Sequence, residues 1–300
     1  MSEAPRAVAV STGLDGPIRT ADVFELLDTV ERVDGVAAVS EQGLLALEHG
    51  REAVRHLWLA PSGRLAAYAQ VDETGSAELC VHPAHRLQGL GRQLVEKLLA
   101  TTSPLAIWAH GNLTGAQALA KATGLEVTRE LLKMSYELPT AAIRPRPAPA
   151  GIEVRQFRPG EDEAAWVELN ALAFADHPEQ GRMTVDDMAE RQTTDWFDPS
   201  LLWLAYRPDA PSTLLGSMWV KIPPESTDGE IYVLAVHPET QGEGLGSWLT
   251  SVALQEMQRR RMRTASLYVD GGNTPAVRTY ERAGFGRATI DVQYAPRPRE

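Results

Sequence analysis

Two stretches of this 300-residue chain repeat a phrase whose residue types suit anion binding. Val81-His82-Pro83 leads to Leu87-Gln88-Gly89-Leu90-Gly91-Arg92. Val236-His237-Pro238 leads to Gln241-Gly242-Glu243-Gly244-Leu245-Gly246-Ser247. In each, a G-x-G pair stands where an apolar-periodic helix begins. Bare backbone at that turn leaves free N–H groups and the positive end of the helix dipole open to a pyrophosphate. The spacing is neither G-x-G-x-x-G nor a P-loop, which needs Lys and Ser/Thr after its last glycine. Two residues of the second half could move protons. Glu230 opens the run E-I-Y-V-L-A-V, and two-residue alternation puts it on one face with Tyr232, Leu234 and Val236. A carboxylate there is a candidate base, directly or through water; with an ordinary value of about 4.3 it needs burial or a weakly basic partner. Tyr280, just before Ala283-Gly284-Phe285, has an ordinary value of about 10 and can donate a proton at neutral pH. The plainer readings are an exposed strand-end Glu and a core-packing Tyr. His82 and His237 read as turn residues before proline, and no carboxylate–histidine cluster has metal-ligand spacing, so no metal is expected.

The elements that must hold these residues also come twice. Each phrase follows an apolar strand-like run and opens a helix with leucines at 90, 94 and 98 or at 245, 249 and 254. Each helix–glycine ending, Ala122-Thr123-Gly124 or Arg282-Ala283-Gly284, leads to a further strand. The first half predicts a helix over 20–33 and strands over 56–60, 64–71 and 77–82. A helix over 89–100, a strand over 104–109, a short helix over 113–122 and a strand over 125–137 follow. The second predicts strands over 152–157, 201–206, 214–221 and 230–236 with helices over 161–175 and 184–192. Helix 244–260, strand 264–269, helix 275–283 and strand 286–294 complete it. The expected class is mixed α/β, in two domains over 1–138 and 151–300, joined by a linker over 139–150 where Pro139, Pro145, Pro147 and Pro149 block regular pairing.

Bulk properties narrow the classes. A formal net charge of -11 argues against nucleic acid or an anionic membrane as partner. One cysteine, Cys80, precludes an internal disulfide and fits a reducing cytoplasm; a buried structural thiol is the expectation for it. Neither a membrane-length apolar run nor a secretory start over Met1 to Val10 is evident, so a cytoplasmic protein is expected; a monomer is also expected.

Arg86-x-x-Gly89-x-Gly91 and Gln241-x-x-Gly244-x-Gly246 resemble the acyl-CoA pyrophosphate loop of the GNAT acetyltransferase superfamily, over nearly the whole chain. The resemblance implies two tandem GNAT domains and acetyl-CoA as co-substrate, one per domain at most. It implies a strand that splays from its neighbour to hold the pantetheine arm, at Leu79-Cys80-Val81 and Leu234-Ala235-Val236. Asn273-Thr274-Pro275-Ala276-Val277-Arg278 looks like the second CoA-contacting element, although Asn273 also reads as a plain N-cap. It further implies that Tyr280 protonates the leaving CoA sulfur. Ala120 stands at the place of Tyr280 and Gly75 at that of Glu230, with Glu78 of opposite parity, so the first domain is expected to be non-catalytic.

The phrases D-G-V-A-A-V-S-E-Q (34–42), W-A-H-G (108–111), A-F-A-D-H-P-E-Q-G (173–181), W-F-D-P (196–199) and L-Y-V-D-G-G-N-T-P-A-V-R-T-Y-E-R-A-G-F (267–285) resemble the mycothiol synthase family. That family acetylates the cysteinyl amine of a cysteinyl-glucosaminyl-inositol, a pseudo-disaccharide thiol. The resemblance implies Glu41, Glu179, Lys221, Glu230 and Tyr268 as acceptor contacts, with Glu41 bringing in the first domain. Carboxylates, an ammonium and a phenol suit sugar hydroxyls and an α-amine. Two other readings stay open: a tandem GNAT enzyme acting on another small amine or a peptide N-terminus, and a non-catalytic acetyl-CoA sensor.

Overall fold

The computed structural model describes residues 8–14, 18–51, 53–61, 63–144, 146–175 and 180–297. These form two compact units. Unit 1 runs to Leu131 and resumes at Thr289; unit 2 is Leu132–Ala288.

Unit 1 contains β1 (Ala9–Ser11), α1 (Thr20–Asp34), α2 (Glu41–Glu48), β2 (Arg55–Leu59), β3 (Ala67–Val71) and β4 (Ser76–Val81), then α3 (Leu90–Thr101), β5 (Ala106–Ala109), α4 (Thr114–Thr123) and the start of β6 (Leu125–Glu137). β1 to β4 form an antiparallel meander, and α3 crosses over to bring β5 parallel to β4. The predicted leucine spacing of α3 is realised, with Leu90, Leu94 and Leu98 buried against Leu57, Ala69 and Ile107. The opposite face of the sheet packs Tyr68 and Cys80 under Val23, Leu26 and Val30 of α1.

Unit 2 contains β7 (Glu153–Gln156), α5 (Glu163–Ala173), α6 (Val185–Gln192), β8 (Leu202–Arg207), β9 (Ala210–Lys221) and β10 (Asp228–Val236), then α7 (Leu245–Arg259), β11 (Thr264–Asp270), α8 (Thr274–Ala283) and the start of β12 (Gly286–Pro296). β7 to β10 are antiparallel, and β11 returns parallel to β10 after α7. One face buries Leu249 and Met257 of α7. The other builds an aromatic core in which Trp219 meets Trp166, Trp196, Phe197 and Tyr232 at centroid distances of 5.1–5.9 Å.

The helix and strand predictions match in order, but the domain boundaries do not. Both halves end in the same helix–glycine–strand phrase, so periodicity assigns each last strand to its own half. Instead β12 pairs antiparallel with β5 in unit 1 (Val292↔Ala109, Tyr294↔Ile107), whereas Leu132–Glu137 of β6 lies in unit 2, where β6 neighbours β11. The proline-rich stretch is no free linker either. Gln258 Nε2 of α7 donates to the carbonyls of Pro139 (2.5 Å) and Ala141 (2.8 Å), Ile143 N–H donates to Gln258 Oε1 (2.8 Å), and Arg146 N–H to Ser251 Oγ (2.9 Å). Prolines preclude a ladder, and glutamine side chains supply the partners instead. Two elements were absent from the prediction: the three-residue β1, and α2, whose eight residues include a helix-weakening Gly43 but are capped by Ser40 Oγ accepting from Gly43 N–H (3.2 Å).

Candidate active site

In unit 2 the parallel ladder between β10 and β11 runs only from Asp228↔Thr264 to Ile231↔Leu267, although both strands continue. Past Ile231 the strands part, and Leu234, Ala235 and Val236 line the opening. Unit 1 repeats this: β4 and β5 pair from Ser76↔Ala106 to Glu78↔Trp108, and Leu79, Cys80 and Val81 run on without that partner. Where each strand ends, the histidine of the His-Pro pair caps a short 3-10 turn. His82 Nδ1 accepts from Ala84 N–H (3.2 Å) and His237 Nδ1 from Glu239 N–H (3.3 Å), the turn role expected of both.

Next comes the glycine turn. Gly89 (φ 81°) and Gly244 (φ 88°) sit in the left-handed region at the N-caps of α3 and α7, and no side chain caps either helix. The first-turn N–H groups therefore point out of the turn with no side-chain acceptor. Gly242 is also left-handed (φ 84°); its counterpart Leu87 holds φ 60° with its side chain fully exposed. A branched side chain in that conformation costs about 1–2 kcal/mol. An anion cradle next to an open strand pair fits a pyrophosphate joined to a narrow flexible arm, so the residues present fit acetyl-CoA. Asn273 is half of what was expected of it by geometry: its Oδ1 caps α8, accepting from Ala276 N–H (3.1 Å), and Thr274, Pro275 and Arg278 stand exposed in the first turns.

β10 departs from the regular alternation expected of it. Between Ile231 and Val233 the register with β9 slips by one residue, a β-bulge at Tyr232. The bulge turns Tyr232 to the side of Val233 and Ala235, in the aromatic core, while Leu234 and Val236 face Gly246 of α7. Glu230 is therefore not on the face of Leu234 and Val236. It pairs with Lys221 across the antiparallel ladder and with Ser266 across the parallel one, so it shares their face. On that face Lys221 Nζ lies 4.8 Å from the Trp196 ring centroid and 5.4 Å from that of Tyr232, and Arg191 Nε donates to the Tyr232 hydroxyl (2.8 Å). Tyr268, two residues beyond Ser266, stands on the same face, exposed, with Lys133 Nζ 5.4 Å from its ring centroid. Glu230, Lys221 and Tyr268 thus share one face of the sheet. Glu41 opens α2 in unit 1, and Glu179 lies outside the described residues. Trp196, Tyr232 and Arg191 were missed as site residues, although W-F-D-P carried the signal.

Tyr280 is 8% exposed, its ring edge-on to Phe285 at 5.9 Å. Burial pushes its hydroxyl up to about 12, so it carries its proton throughout the neutral range. In unit 1, Ala120 occupies the corresponding place, buried. The straight β4 has no bulge, so the residue cross-strand equivalent to Glu230 is Ser76 rather than Gly75, and Glu78 falls on the same face after all. That carboxylate is fully engaged: Oε1 accepts from Ser40 N–H (2.7 Å) and bonds His110 Nε2 (2.9 Å), and Oε2 accepts from Gln70 Nε2 (2.9 Å). Burial raises its pKa, yet His110, Ser40 and Gln70 together hold it below the usual range. Cys80 is buried, and burial pushes its thiol up to about 12, leaving it unreactive. Among the described residues no group of three or more His, Cys, Asp or Glu could hold a metal, and no helix is long and apolar enough to cross a membrane.

Residues 166–285 match the Acetyltransferase (GNAT) family. The mycothiol acetyltransferase of Streptomyces bingchenggensis is 46% identical over 93% of this chain and 93% of its own length. That of Thermomonospora curvata is 42% identical over 98% of both. Among solved structures, a GCN5-related N-acetyltransferase from Sphaerobacter thermophilus aligns over 97% of this chain and 95% of its own (TM-score 0.67, 24% identity). A tandem GNAT protein from the clavulanic acid biosynthesis pathway aligns over 98% and 100% (TM-score 0.69, 17% identity). Both of these likenesses are of fold.

Proposed function

The chain belongs to the mycothiol acetyltransferase family of tandem GNAT proteins, and on that footing we propose that unit 2 transfers the acetyl group of acetyl-CoA to the cysteinyl amine of cysteinyl-glucosaminyl-inositol, giving mycothiol. The observation that carries this assignment of the site is the convergence, in unit 2, of Glu230, Lys221 and Tyr268 on one face of the sheet beside the opening between β10 and β11. Acetyl-CoA supplies the activated acyl group. The 241–247 turn and the first turn of α7 take its pyrophosphate, and the backbone of Leu234 to Val236 takes the pantetheine arm. Residues 273–278 flank that arm.

Glu230 receives the proton of the attacking amine, directly or through one water, as the new C–N bond forms. Backbone N–H groups in the opening meet the charge that develops on the carbonyl oxygen. When the C–S bond breaks, Tyr280 gives its proton to the departing sulfur. Lys221 and Tyr268 bind acceptor hydroxyls, while the Trp196 and Tyr232 rings stand against Lys221 and hold its ammonium in place. In unit 1 the turn 87–92 and the strand 79–81 retain the form of a CoA site, but with Ala120 for the acid and a Glu78 already held ionised, that unit is proposed to bind without turnover.

The direct test is mass-spectrometric detection of N-acetylated product from acetyl-CoA and the cysteinyl-glucosaminyl-inositol; the acceptor's own thiol would confound a colorimetric readout. Product formed no faster than with simple amines would sink the acceptor assignment. Glu230→Gln is expected to lower kcat/KM by about 10- to 50-fold at pH 7, less at pH 9, because an α-amine of pKa about 7.7–8.0 is already neutral there. A loss independent of pH would argue against the base role. Gly244→Val sets a β-branched residue at φ 88°, so CoA affinity at unit 2 is expected to fall at least about tenfold, measured as the KM for acetyl-CoA. An unchanged KM would remove the turn from the CoA site.

A further inference from the structure

A cleft of about 260 Å³ opens in unit 2 between α7, α8 and the strap that precedes β7. Its wall includes Ser247, in the first turn of α7, so it begins where the glycine turn ends. Arg144 and Arg146 enter it from the strap and Arg282 from α8. No acidic residue lines it, and none of the three guanidiniums has a carboxylate partner among the described residues, in a chain of net charge -11. The strap is held in place: Ile143 exchanges hydrogen bonds with Gln255 and Gln258, and Arg146 N–H donates to Ser251 Oγ. Proline-rich backbone pinned by α7 therefore delivers two positive charges beside a third. Tyr136, Ile143 and Leu254 add ring and aliphatic surface to the same wall. A cleft with three unneutralised arginines and an apolar patch suits a phosphate monoester on a flat heterocycle.

We propose that this cleft holds the 3′-phosphoadenosine end of acetyl-CoA, with Arg144, Arg146 and Arg282 as the contacts of its 3′-phosphate. The inference rests on the pyrophosphate reading of the 241–247 turn. With the arm entering the opening between β10 and β11, the nucleotide must leave the turn on another side, and the cleft adjoins it at Ser247. The strap thereby acquires a role in distinguishing CoA from its dephosphorylated form.

Calorimetric titration of the wild-type chain and of R144Q/R146Q/R282Q with CoA and with dephospho-CoA tests this. The three side chains are exposed, so the variant is expected to melt with the wild type. The wild type is expected to bind CoA about tenfold more tightly than dephospho-CoA. At the unit 2 site the variant should bind both alike, at the wild-type affinity for dephospho-CoA, while the site proposed in unit 1 stays as it is. In turnover, which reports unit 2, its KM should rise about tenfold for acetyl-CoA and stay fixed for acetyl-dephospho-CoA, with kcat unchanged. A variant whose turnover keeps the preference for acetyl-CoA over acetyl-dephospho-CoA overturns the cleft while leaving the turn intact. If inorganic phosphate raises the wild-type melting temperature but CoA is not preferred, the cleft is a free-phosphate site and the proposal fails. A wild type that binds neither nucleotide overturns the reading of the turn itself, and the cleft with it.

Discussion

Tyr280→Phe is expected to lower kcat about 10³-fold while the affinity for CoA changes less than about threefold. The substitution removes one oxygen and keeps the ring, whose edge-on contact with Phe285 and position in the α8 core are apolar. Stability should therefore barely move, and the loss falls on the step that needs a proton at sulfur. The hydroxyl has no protein hydrogen-bond partner among the described residues, so no network inside the fold competes for its proton. Burial pushes it up to about 12. A raised value means the proton is present at every pH below that, so no alkaline loss of activity traceable to Tyr280 should appear between pH 6 and about 10. Single-turnover acetyl transfer followed by mass spectrometry, alongside calorimetric CoA binding, separates chemistry from affinity. A kcat within threefold of the wild type would leave Tyr280 as a packing residue and remove it from the mechanism.

Much of the site was legible because its signals are local. The glycine turns, the histidine caps at 82 and 237, the α8 cap at Asn273 and the leucine faces of α3 and α7 each depend on residues within a few positions of one another. What failed depends on the third dimension. The alternation that placed Glu230 with Leu234 assumes a regular strand, and one extra residue at Tyr232 reverses the face of everything before it. The same bulge, absent from β4, shifts an ungapped alignment of the halves by one, exchanging Gly75 for Ser76 and mistaking the side of Glu78. The exchange of β6 and β12 is equally invisible, since each strand occupies the same place in its own repeat. Lys221 and Glu230 were named separately; only the register makes them a pair.

The buried cluster of unit 1 shows how far such a long-range contact can carry. His110 Nε2 bonds Glu78 Oε1 (2.9 Å) and its Nδ1 bonds Asp291 Oδ2 (3.1 Å), while Asp291 Oδ1 accepts from Gly111 N–H (2.7 Å). Glu78 and Asp291, remote from His110 in sequence, close on its imidazolium; Ser40, from a fourth segment, donates its N–H to Glu78 Oε1 and caps the helix that Glu41 opens. Burial disfavours the charged ring, but the hydrogen bonds to Asp291 and Glu78 outweigh it and push His110 up to about 9. Raised above its ordinary 6.5, the ring adds stability that is whole below about pH 6.5 and fades as the pH climbs through about 9. Glu78, held below its ordinary 4.5, adds stability that is present above that value and fades as the solution is acidified further. The contribution of this pair to unit 1 is therefore whole from about pH 4.5 to 6.5 and smaller on either side. His110→Ala strands two buried carboxylates and is expected to destabilise unit 1 by about 3–5 kcal/mol at pH 6.5, roughly 10 °C in its melting. The deficit should shrink by pH 10, where the wild-type ring has lost its proton. Calorimetric melting across that range decides the matter: a deficit under 1 kcal/mol, or one equal at both ends, would mean that the imidazolium does not hold the cluster. His110→Gln, which can still donate to one carboxylate, should recover part of the loss and separate the missing hydrogen bonds from the missing volume.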